Sequence, residues 1–463
     1  MNNFKARFLP LIVLVFSGIT GCAQNSPFRT GGIVEGCYED LGQCRQAIVE
    51  KHLEFDLAYV EFTQRGNQFD RAKTEQVIDY INDHANSDKG AAVFVFVHGW
   101  KHNADSNDSN VANFREMLSR AAENPFVGPR RVIGLYLGWR GKVTSIPLVK
   151  ELSYWGRKSV AEEIGSGGAT EIFTDLQQVL IDQFDGVSSD GALHKNTFVI
   201  IGHSFGGAIV LSALHDVLLA ELIAVARRRD SLNQRFCDKV KRFADGVILL
   251  NPAIEANRVI LLREIASKCE FGDYQPQLMH VISSEADLAT SRYFPIGQYA
   301  NITSTLRPKN LKRTINGKEI ILSESALDRT TAGNLDQLRT GYLYHDSKAG
   351  EWTYMSCRNG LDDCGVTDTQ AQKNHIPVTE FDPISFIRTD ANFIKDHNDV
   401  FSCYAQSYIT TIMFETQAID RGYVNLYAGD GEDSEVANCD HRDFNFSQCF
   451  NNQLYDYNCD LLN

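Results

Sequence analysis

Short apolar runs alternate with helical patterns along most of the chain. Six runs of five to eight residues are rich in β-branched and aromatic side chains, which is typical of strands. They are residues 55–62, 91–97, 131–137, 197–201, 246–250 and 279–283. Several of them are apolar at consecutive positions, as is expected of strands that are covered on both faces of a parallel sheet.

Amphipathic helical patterns fall between these predicted strands. One pattern has apolar residues at helical spacing and follows a stretch rich in capping residues; it contains Val111, Phe114, Leu118 and Ala121. A second pattern covers residues 172–180, and a long one runs from about residue 206 to 229. Strand followed by helix, repeated, predicts the α/β class with a mostly parallel, doubly wound sheet.

Two stretches with weak periodicity interrupt this alternation. Residues 141–170 and 297–380 contain clusters of Gly, Ser, Thr and Asn, and we interpret them as insertions over the carboxyl edge of the sheet. The predicted organisation is a linker with a disulfide at 22–50, a main domain at 51–402 and a cap at 403–463. The cap is rich in Cys, Asn, Asp and Tyr, and we expect disulfides to hold it.

The first 21 residues have the pattern of a secretory signal. Lys5 and Arg7 precede a short apolar run, which is interrupted by Pro10 and is too short to span a bilayer. The run ends in Ile19-Thr20-Gly21-Cys22, which resembles the bacterial lipobox. The resemblance implies cleavage before Cys22 and attachment of diacylglycerol to its thiol. The alternative is a plain signal peptide with an incidental cysteine.

Lipidation of Cys22 would anchor the mature chain to a membrane outside the cytoplasm. Residue 23 is Ala, whereas an inner-membrane retention signal would resemble Asp at this position. We therefore expect an exported protein of the cell envelope, attached to the outer membrane.

Removing Cys22 from the 11 cysteines leaves an even number, which in an oxidising compartment predicts five disulfides. Proximity favours Cys37 with Cys44, Cys237 with Cys269, and Cys357 with Cys364. Two further bridges would join Cys403, Cys439, Cys449 and Cys459, although spacing alone does not determine connectivity. The chain has no CxxC pair, so no metal site is predicted.

Composition narrows the classes of function. With 463 residues, of which 43% are hydrophobic, the chain can bury a large core. Its formal charge of −14 argues against nucleic-acid binding, because that function needs a basic surface.

One motif has the setting that a nucleophile requires. The predicted strand 197–201 continues into Gly202-His203-Ser204-Phe205-Gly206 and then into the long helical pattern. A G-x-S-x-G turn between strand and helix is tight enough to need its glycines, and it exposes the serine hydroxyl at the edge of the sheet. Ser204 is therefore the candidate nucleophile, the alternative being a glycine-rich turn with a helix-capping serine.

An earlier strand ends in a second informative motif, His98-Gly99-Trp100. In hydrolases with such a serine turn, a backbone N–H from this loop and the N–H that follows the nucleophile stabilise an oxyanion. The two donors here would be Trp100 and Phe205. We expect His98, together with Gly99, to order the loop.

Three strings, at residues 95–104, 137–141 and 201–207, together resemble the α/β-hydrolase superfamily, and most closely its lipase and esterase-like members. The resemblance covers roughly residues 55–401. It implies an α/β-hydrolase fold and a serine hydrolase that needs no cofactor.

A serine nucleophile needs a histidine base and a carboxylate that orients the base. In this fold the chain order is serine, acid, histidine. Asp287 follows the predicted strand 279–283 and is the favoured acid; Glu285 is the alternative, and either could instead cap the next helix. His397, in a loop after a possible strand at 384–388, is favoured over His375 as the base.

The separation of 110 residues between Asp287 and His397 requires a large insertion between them. The predicted activity is that of a carboxylesterase or lipase acting on hydrophobic esters near the membrane. A peptidase or thioesterase would use the same triad. A non-enzymatic envelope lipoprotein that uses the fold as a binding scaffold is the alternative from another class.

Overall fold

The computed structural model describes residues 25–124, 127–141, 154–181, 196–275, 277–302, 310–346, 351–356, 372–373, 379–381 and 383–410. Its strands are β1 (Ile33–Val34), β2 (Val49–Lys51), β3 (Phe55–Phe62), β4 (Ala91–Val97), β5 (Arg131–Trp139), β6 (Thr197–His203), β7 (Gly246–Leu250), β8 (Glu270–Gln275), β9 (Met279–Ser284), β10 (Leu311–Ile315), β11 (Lys318–Leu322), β12 (Gly341–Asp346), β13 (Glu351–Ser356), β14 (Gln372–Lys373), β15 (Thr379–Phe381) and β16 (Ile384–Thr389).

The α-helices are α1 (Arg71–Asn86), α2 (Ser109–Glu123), α3 (Tyr154–Ile164), α4 (Thr170–Leu180), α5 (Phe205–Leu232), α6 (Ile260–Ala266), α7 (Phe294–Ile302) and α8 (Glu324–Arg329). Single π-helical turns precede α4 and α7, at Gly165–Ala169 and Ala289–Tyr293. Residues 403–410 are also helical.

Twelve of the described strands form one sheet, in the order β1-β2-β3-β5-β4-β6-β7-β9-β16-β12-β13-β14. Every pairing from β3 through β12 in this order is parallel, and the antiparallel pairings lie towards the two edges. The predicted α/β class with a large, mostly parallel sheet is confirmed. All six predicted strands are present. Three have the predicted bounds, and the other three extend by one or two residues at their C-terminal ends.

Both faces of the sheet are covered, and the alternation along β4 illustrates how. Val93, Val95 and Val97 belong to one buried cluster, which includes residues of α1, α3, α4 and α5. Phe94 and Phe96 belong to a second cluster on the opposite face, with residues of α2 and of the segment 393–409. Successive strand residues point to opposite faces, so continuous apolar runs are what a sheet covered on both sides requires.

Helix α5 forms the central part of the first cluster. Of the described helices, it alone is long and apolar enough to cross a membrane by length and composition. Its first ten residues are nearly all buried, and it packs on β6 and on α3. The apolar character of α5 is thus accounted for by its place in the core.

The segment interpreted as a linker contributes to the sheet. Strands β1 and β2 add to its edge beside β3, and the buried Arg29 donates to Glu50 at 2.9 Å. Arg115 and Tyr59 also donate to the Glu50 carboxylate. Burial alone would raise the pKa of Glu50, but these partners together with His52 lower it to about 2. The N-terminal residues are therefore held by a buried network around an ionised Glu50 carboxylate.

The two stretches interpreted as insertions contain regular elements. Helix α3 lies within residues 141–170 and packs on α5. Residues 297–380 include a β10–β11 hairpin and strand β12, which pairs in parallel with β16 and extends the main sheet. Weak hydrophobic periodicity did not predict these elements.

Two predicted disulfides are confirmed, Cys37–Cys44 and Cys237–Cys269. Cys403 is disulfide-bonded as well. The predicted pair Cys357–Cys364 and the other three cap cysteines lie outside the described residues, as do Cys22 and the signal sequence.

Removing the Cys237–Cys269 bridge should destabilise the protein more than removing Cys37–Cys44. The bridges close 32 and 7 residues respectively, and the loop entropy they remove from the unfolded chain corresponds to about 4 and about 2 kcal/mol. Denaturant unfolding of Cys237→Ser/Cys269→Ser beside Cys37→Ser/Cys44→Ser measures both losses. Equal losses, or the opposite order, would contradict this expectation.

Candidate active site

Ser204 lies in a sharp turn at the carboxyl edge of the sheet. Strand β6 ends at His203 and α5 begins at Phe205. Ser204 between them has φ 55° and ψ −116°, a conformation that is costly for a residue with a side chain. Backbone hydrogen bonds hold it there, from Ser204 N to Leu250 O at 3.1 Å and from Ala253 N to Ser204 O at 3.0 Å.

The turn can form because α5 approaches the neighbouring strand closely. A Cβ atom added to Gly206 would lie 1.9 Å from the carbonyl oxygen of Val97 in β4. Only glycine fits at this position, which explains why the motif ends in glycine.

The side chain of Ser204 does not cap α5. Ser204 occupies the N-cap position, but its hydroxyl makes no hydrogen bond to the helix backbone. Ser204 Oγ lies 2.9 Å from His397 Nε2. The helix-capping alternative is therefore wrong, and the favoured base is the residue that contacts the serine.

His397 in turn contacts the favoured acid, with Nδ1 2.8 Å from Asp287 Oδ2. The two residues are far apart in sequence but follow adjacent strands. β9 and β16 pair in parallel from Ile384 opposite Met279 to Thr389 opposite Ser284, so the loops after both strands leave the same edge. The long intervening segment therefore does not prevent the pairing.

Asp287 is fully buried and well supplied with donors. Burial raises the pKa of its carboxyl, but hydrogen bonds from His397, from the Thr290 hydroxyl and from the Ala289 N–H outweigh this effect. The pKa is held below its ordinary value, and the group is a carboxylate at neutral pH. Asp287 Oδ1 also accepts from the N–H groups of Ala289 and Thr290, as a residue that caps the following helical turn would.

These contacts determine the tautomer of His397. An ionised carboxylate only accepts hydrogen bonds, so Nδ1 of His397 carries a proton and donates it to Asp287. In the neutral ring Nε2 then has a free lone pair, and it accepts from the Ser204 hydroxyl. The arrangement can take a proton from Ser204 and stabilise the imidazolium that results.

The alternative residues for acid and base are placed elsewhere. The side chain of Glu285 hydrogen-bonds to Tyr342, and its N–H donates to Thr389 O. His375 lies outside the described residues.

His98 is fully buried at the base of the loop after β4. Its Nε2 accepts from the N–H of Trp139 at 3.1 Å, so Nδ1 is the protonated nitrogen and donates to Gly99 O at 2.9 Å. Burial lowers its pKa to about 4. His98 is thus a neutral side chain that joins the loop to β5, as a loop-ordering residue would.

Gly99 packs directly against the candidate nucleophile. A Cβ atom added here would lie 2.8 Å from Ser204 Cβ and 3.2 Å from His203 O. Trp100 follows Gly99 in the same loop, and Phe205 follows Ser204 as the first residue of α5. The two residues whose N–H groups were predicted to bind an oxyanion therefore flank the contact between Gly99 and Ser204. Their role remains a prediction.

Gly99→Ala is expected to lower kcat/KM for an ester by about 10–100-fold, since displacements of about 1 Å at a reacting group have effects of this size. The added methyl group would displace the loop or Ser204. Gly32→Ala is the matched control, because nothing lies within 4 Å of a Cβ added at Gly32. Equal activity of the two variants would show that the Gly99 loop does not need to approach the serine.

Two side chains that the sequence analysis did not single out also contact this site. His203 and Asn251 both donate to main-chain carbonyl groups of the loop that holds His397. The sequence offered one signal for each of them: His203 directly precedes the candidate nucleophile, and Asn251 directly follows β7.

Searches of protein-family models, of curated proteins and of solved structures found no match for this chain.

Proposed function

We propose that this protein is a serine hydrolase of the α/β-hydrolase fold, a carboxylesterase or lipase that cleaves hydrophobic esters. The observation that carries the proposal is the continuous hydrogen-bonded chain from Ser204 through His397 to Asp287, with distances of 2.9 and 2.8 Å. Each of the three residues follows a strand at the same edge of the parallel sheet. They occur in the order serine, acid, histidine, which supports the proposed fold.

In the proposed reaction, His397 removes the proton of Ser204 as the oxygen attacks the ester carbonyl. The tetrahedral intermediate collapses when His397 returns that proton to the leaving alcohol, and an acyl-enzyme remains. His397 then activates water, which releases the acid and regenerates the serine. Asp287 stays ionised throughout and stabilises the imidazolium form of His397.

Backbone N–H groups of Phe205 and Trp100 would stabilise the negative charge on the carbonyl oxygen. The contact between Gly99 and Ser204 supports this assignment, because it brings the loop after β4 to the nucleophile. The hydrogen bond from His98 to the Gly99 carbonyl also supports it. Fixing that carbonyl fixes the peptide plane to which the Trp100 N–H belongs.

The surface beside Asp287 supports a hydrophobic substrate. Leu288, Tyr293 and Ile296 are 47%, 67% and 67% exposed. They follow the acid within ten residues: Leu288 directly precedes the π-helical turn, Tyr293 ends it and Ile296 is near the start of α7. Exposed apolar side chains that are grouped in one short segment are what a binding surface for a hydrophobic substrate requires.

We also propose that the protein is exported and anchored through a lipid on Cys22. Disulfides persist in oxidising compartments and are rare in the cytoplasm, so the bridges Cys37–Cys44 and Cys237–Cys269 support export.

Hydrolysis of p-nitrophenyl esters of graded chain length, by the wild type beside Ser204→Ala, tests the proposed activity. The expected result is turnover by the wild type alone, with kcat/KM rising from acetyl to longer acyl chains. A peptide or thioester cleaved faster than every ester would reassign the substrate class. A folded wild type that hydrolyses none of these compounds would favour the binding-scaffold function.

A further inference from the structure

His203 and Asn251 hydrogen-bond to the main chain of the loop that contains His397. His203 Nε2 lies 2.8 Å from the main-chain oxygen of His397. Asn251 Nδ2 lies 3.4 Å from that same oxygen and 3.3 Å from the oxygen of Asp396. A carbonyl oxygen only accepts, so both side chains are donors here.

Each donor is itself held firmly. Asn251 is fully buried, and its Oδ1 accepts from Ser284 N at 2.9 Å, while its own N–H donates to Ile282 O at 2.8 Å. It therefore joins the end of β9, which leads to the acid, to the loop of the base. His203 is the last residue of β6 and directly precedes Ser204.

The protonation state of His203 suits a permanent donor. With Nε2–H directed at a carbonyl, its Nδ1 is buried and has no hydrogen-bond partner among the described residues. A proton on Nδ1 would also have no acceptor there. Burial and the nearby His397 lower the pKa of His203 well below its ordinary value. The ring stays neutral, so it does not compete with His397 as a base.

An unpartnered buried nitrogen is unfavourable for stability. A histidine that satisfies one nitrogen and leaves the other without a partner is therefore poorly explained by packing alone. The nitrogen that is satisfied acts on the main chain of His397. The hydrogen bond thus links His203, which directly precedes Ser204, to His397, whose side chain must lie within hydrogen-bond distance of Ser204.

We propose that His203 and Asn251 are positioning residues, a clamp that fixes the main chain of His397 so that its Nε2 lies against Ser204. This inference rests on the proposed function, because the clamp acts only through His397. The carbonyl is held by His203, at the end of β6, and by Asn251, directly after β7. The loop therefore cannot move His397 away from the serine without breaking both contacts. Both side chains are buried, so neither presents a surface to a substrate.

The test compares His203→Leu, which removes the donor, with His203→Gln, whose amide nitrogen can reach the position of Nε2. Rates are measured on the p-nitrophenyl ester that the wild type hydrolyses fastest. We expect His203→Leu to lower kcat about 10–100-fold with KM changed less than about twofold, whereas His203→Gln recovers most of kcat. Asn251→Asp keeps the acceptor for Ser284 but places a carboxylate oxygen against the two carbonyls, and it should also lower kcat.

His280→Gln is the matched control. His280 is a fully buried histidine of β9 that bonds Ser385 within the core, so its replacement should lower the melting temperature without lowering kcat. Ser204→Ala is measured in parallel. If the wild type is no faster than Ser204→Ala, the proposed function fails and the clamp with it.

If the wild type is active and His203→Leu matches it in kcat, only the clamp is overturned. The same holds if His203→Gln is as slow as His203→Leu at an unchanged melting temperature. Should His203→Leu fail to fold, Asn251→Asp decides: an unchanged kcat in that variant overturns the clamp.

Discussion

Replacing Ser204 with alanine is expected to lower kcat for ester hydrolysis about 10⁴-fold or more. The change removes the hydroxyl that is proposed to attack the carbonyl, and a loss of this size corresponds to about 5 kcal/mol of transition-state stabilisation. Donors that would stabilise an oxyanion remain, so a small rate above that of water should persist. The measurement is steady-state hydrolysis by purified protein that is free of contaminating hydrolases.

The folded state should tolerate this substitution. Ser204 makes no capping hydrogen bond, and alanine removes one oxygen without adding volume. Ser212→Ala, in the same helix, is the control: its hydroxyl bonds Ala208 O and Arg258, so any loss there is one of stability. A Ser204→Ala variant that keeps more than a tenth of wild-type kcat would exclude Ser204 as the nucleophile.

Replacing Asp287 with asparagine is expected to lower kcat about 10³- to 10⁴-fold while the protein stays folded. The amide oxygen can still accept from Ala289 N and Thr290 N, which now bond to Oδ1. The amide nitrogen, however, would face His397 Nδ1 as a donor. His397 would then carry its proton on Nε2, opposite the Ser204 hydroxyl, and it could not remove the proton of Ser204.

Glu285→Gln is the matched control for the acid, since Glu285 was the alternative and bonds Tyr342 instead. We expect this variant to keep kcat within about threefold of the wild type. The reverse outcome, with Glu285→Gln inactive and Asp287→Asn active, would contradict the assignment of the acid. Melting temperatures of the two variants separate a catalytic loss from a folding defect.

The central strands were predictable because burial on both faces produces long apolar runs. β4 and β6 have no exposed residue, and their ends determine where Gly99 and Ser204 lie. The candidate triad followed from motif order, because serine, acid and base each come after a recognisable strand. Local sequence was therefore sufficient to predict a candidate residue wherever that residue follows a recognisable strand.

Other parts depend on contacts between distant segments. Strand β12 has few apolar residues beyond Leu343, which is buried beside β16, and short β1 has no periodicity to detect. The donor role of Asn251 arises because β7, β9 and the loop of His397 meet in space. Its sequence context, Asn251-Pro252, indicates only a turn. Nothing in the local sequence predicts which side chains hold the loop of the base.

Covalent labelling of the full-length protein by a fluorophosphonate probe tests the central claim most directly. Such probes react with a serine only where a base activates it and an oxyanion is stabilised. The expected result is one labelled serine, found by mass spectrometry in the peptide that contains Ser204, and no labelling of the Ser204→Ala variant. A folded wild type that resists the probe, or labelling that persists in Ser204→Ala, would contradict the assignment of Ser204, His397 and Asp287 as a catalytic triad.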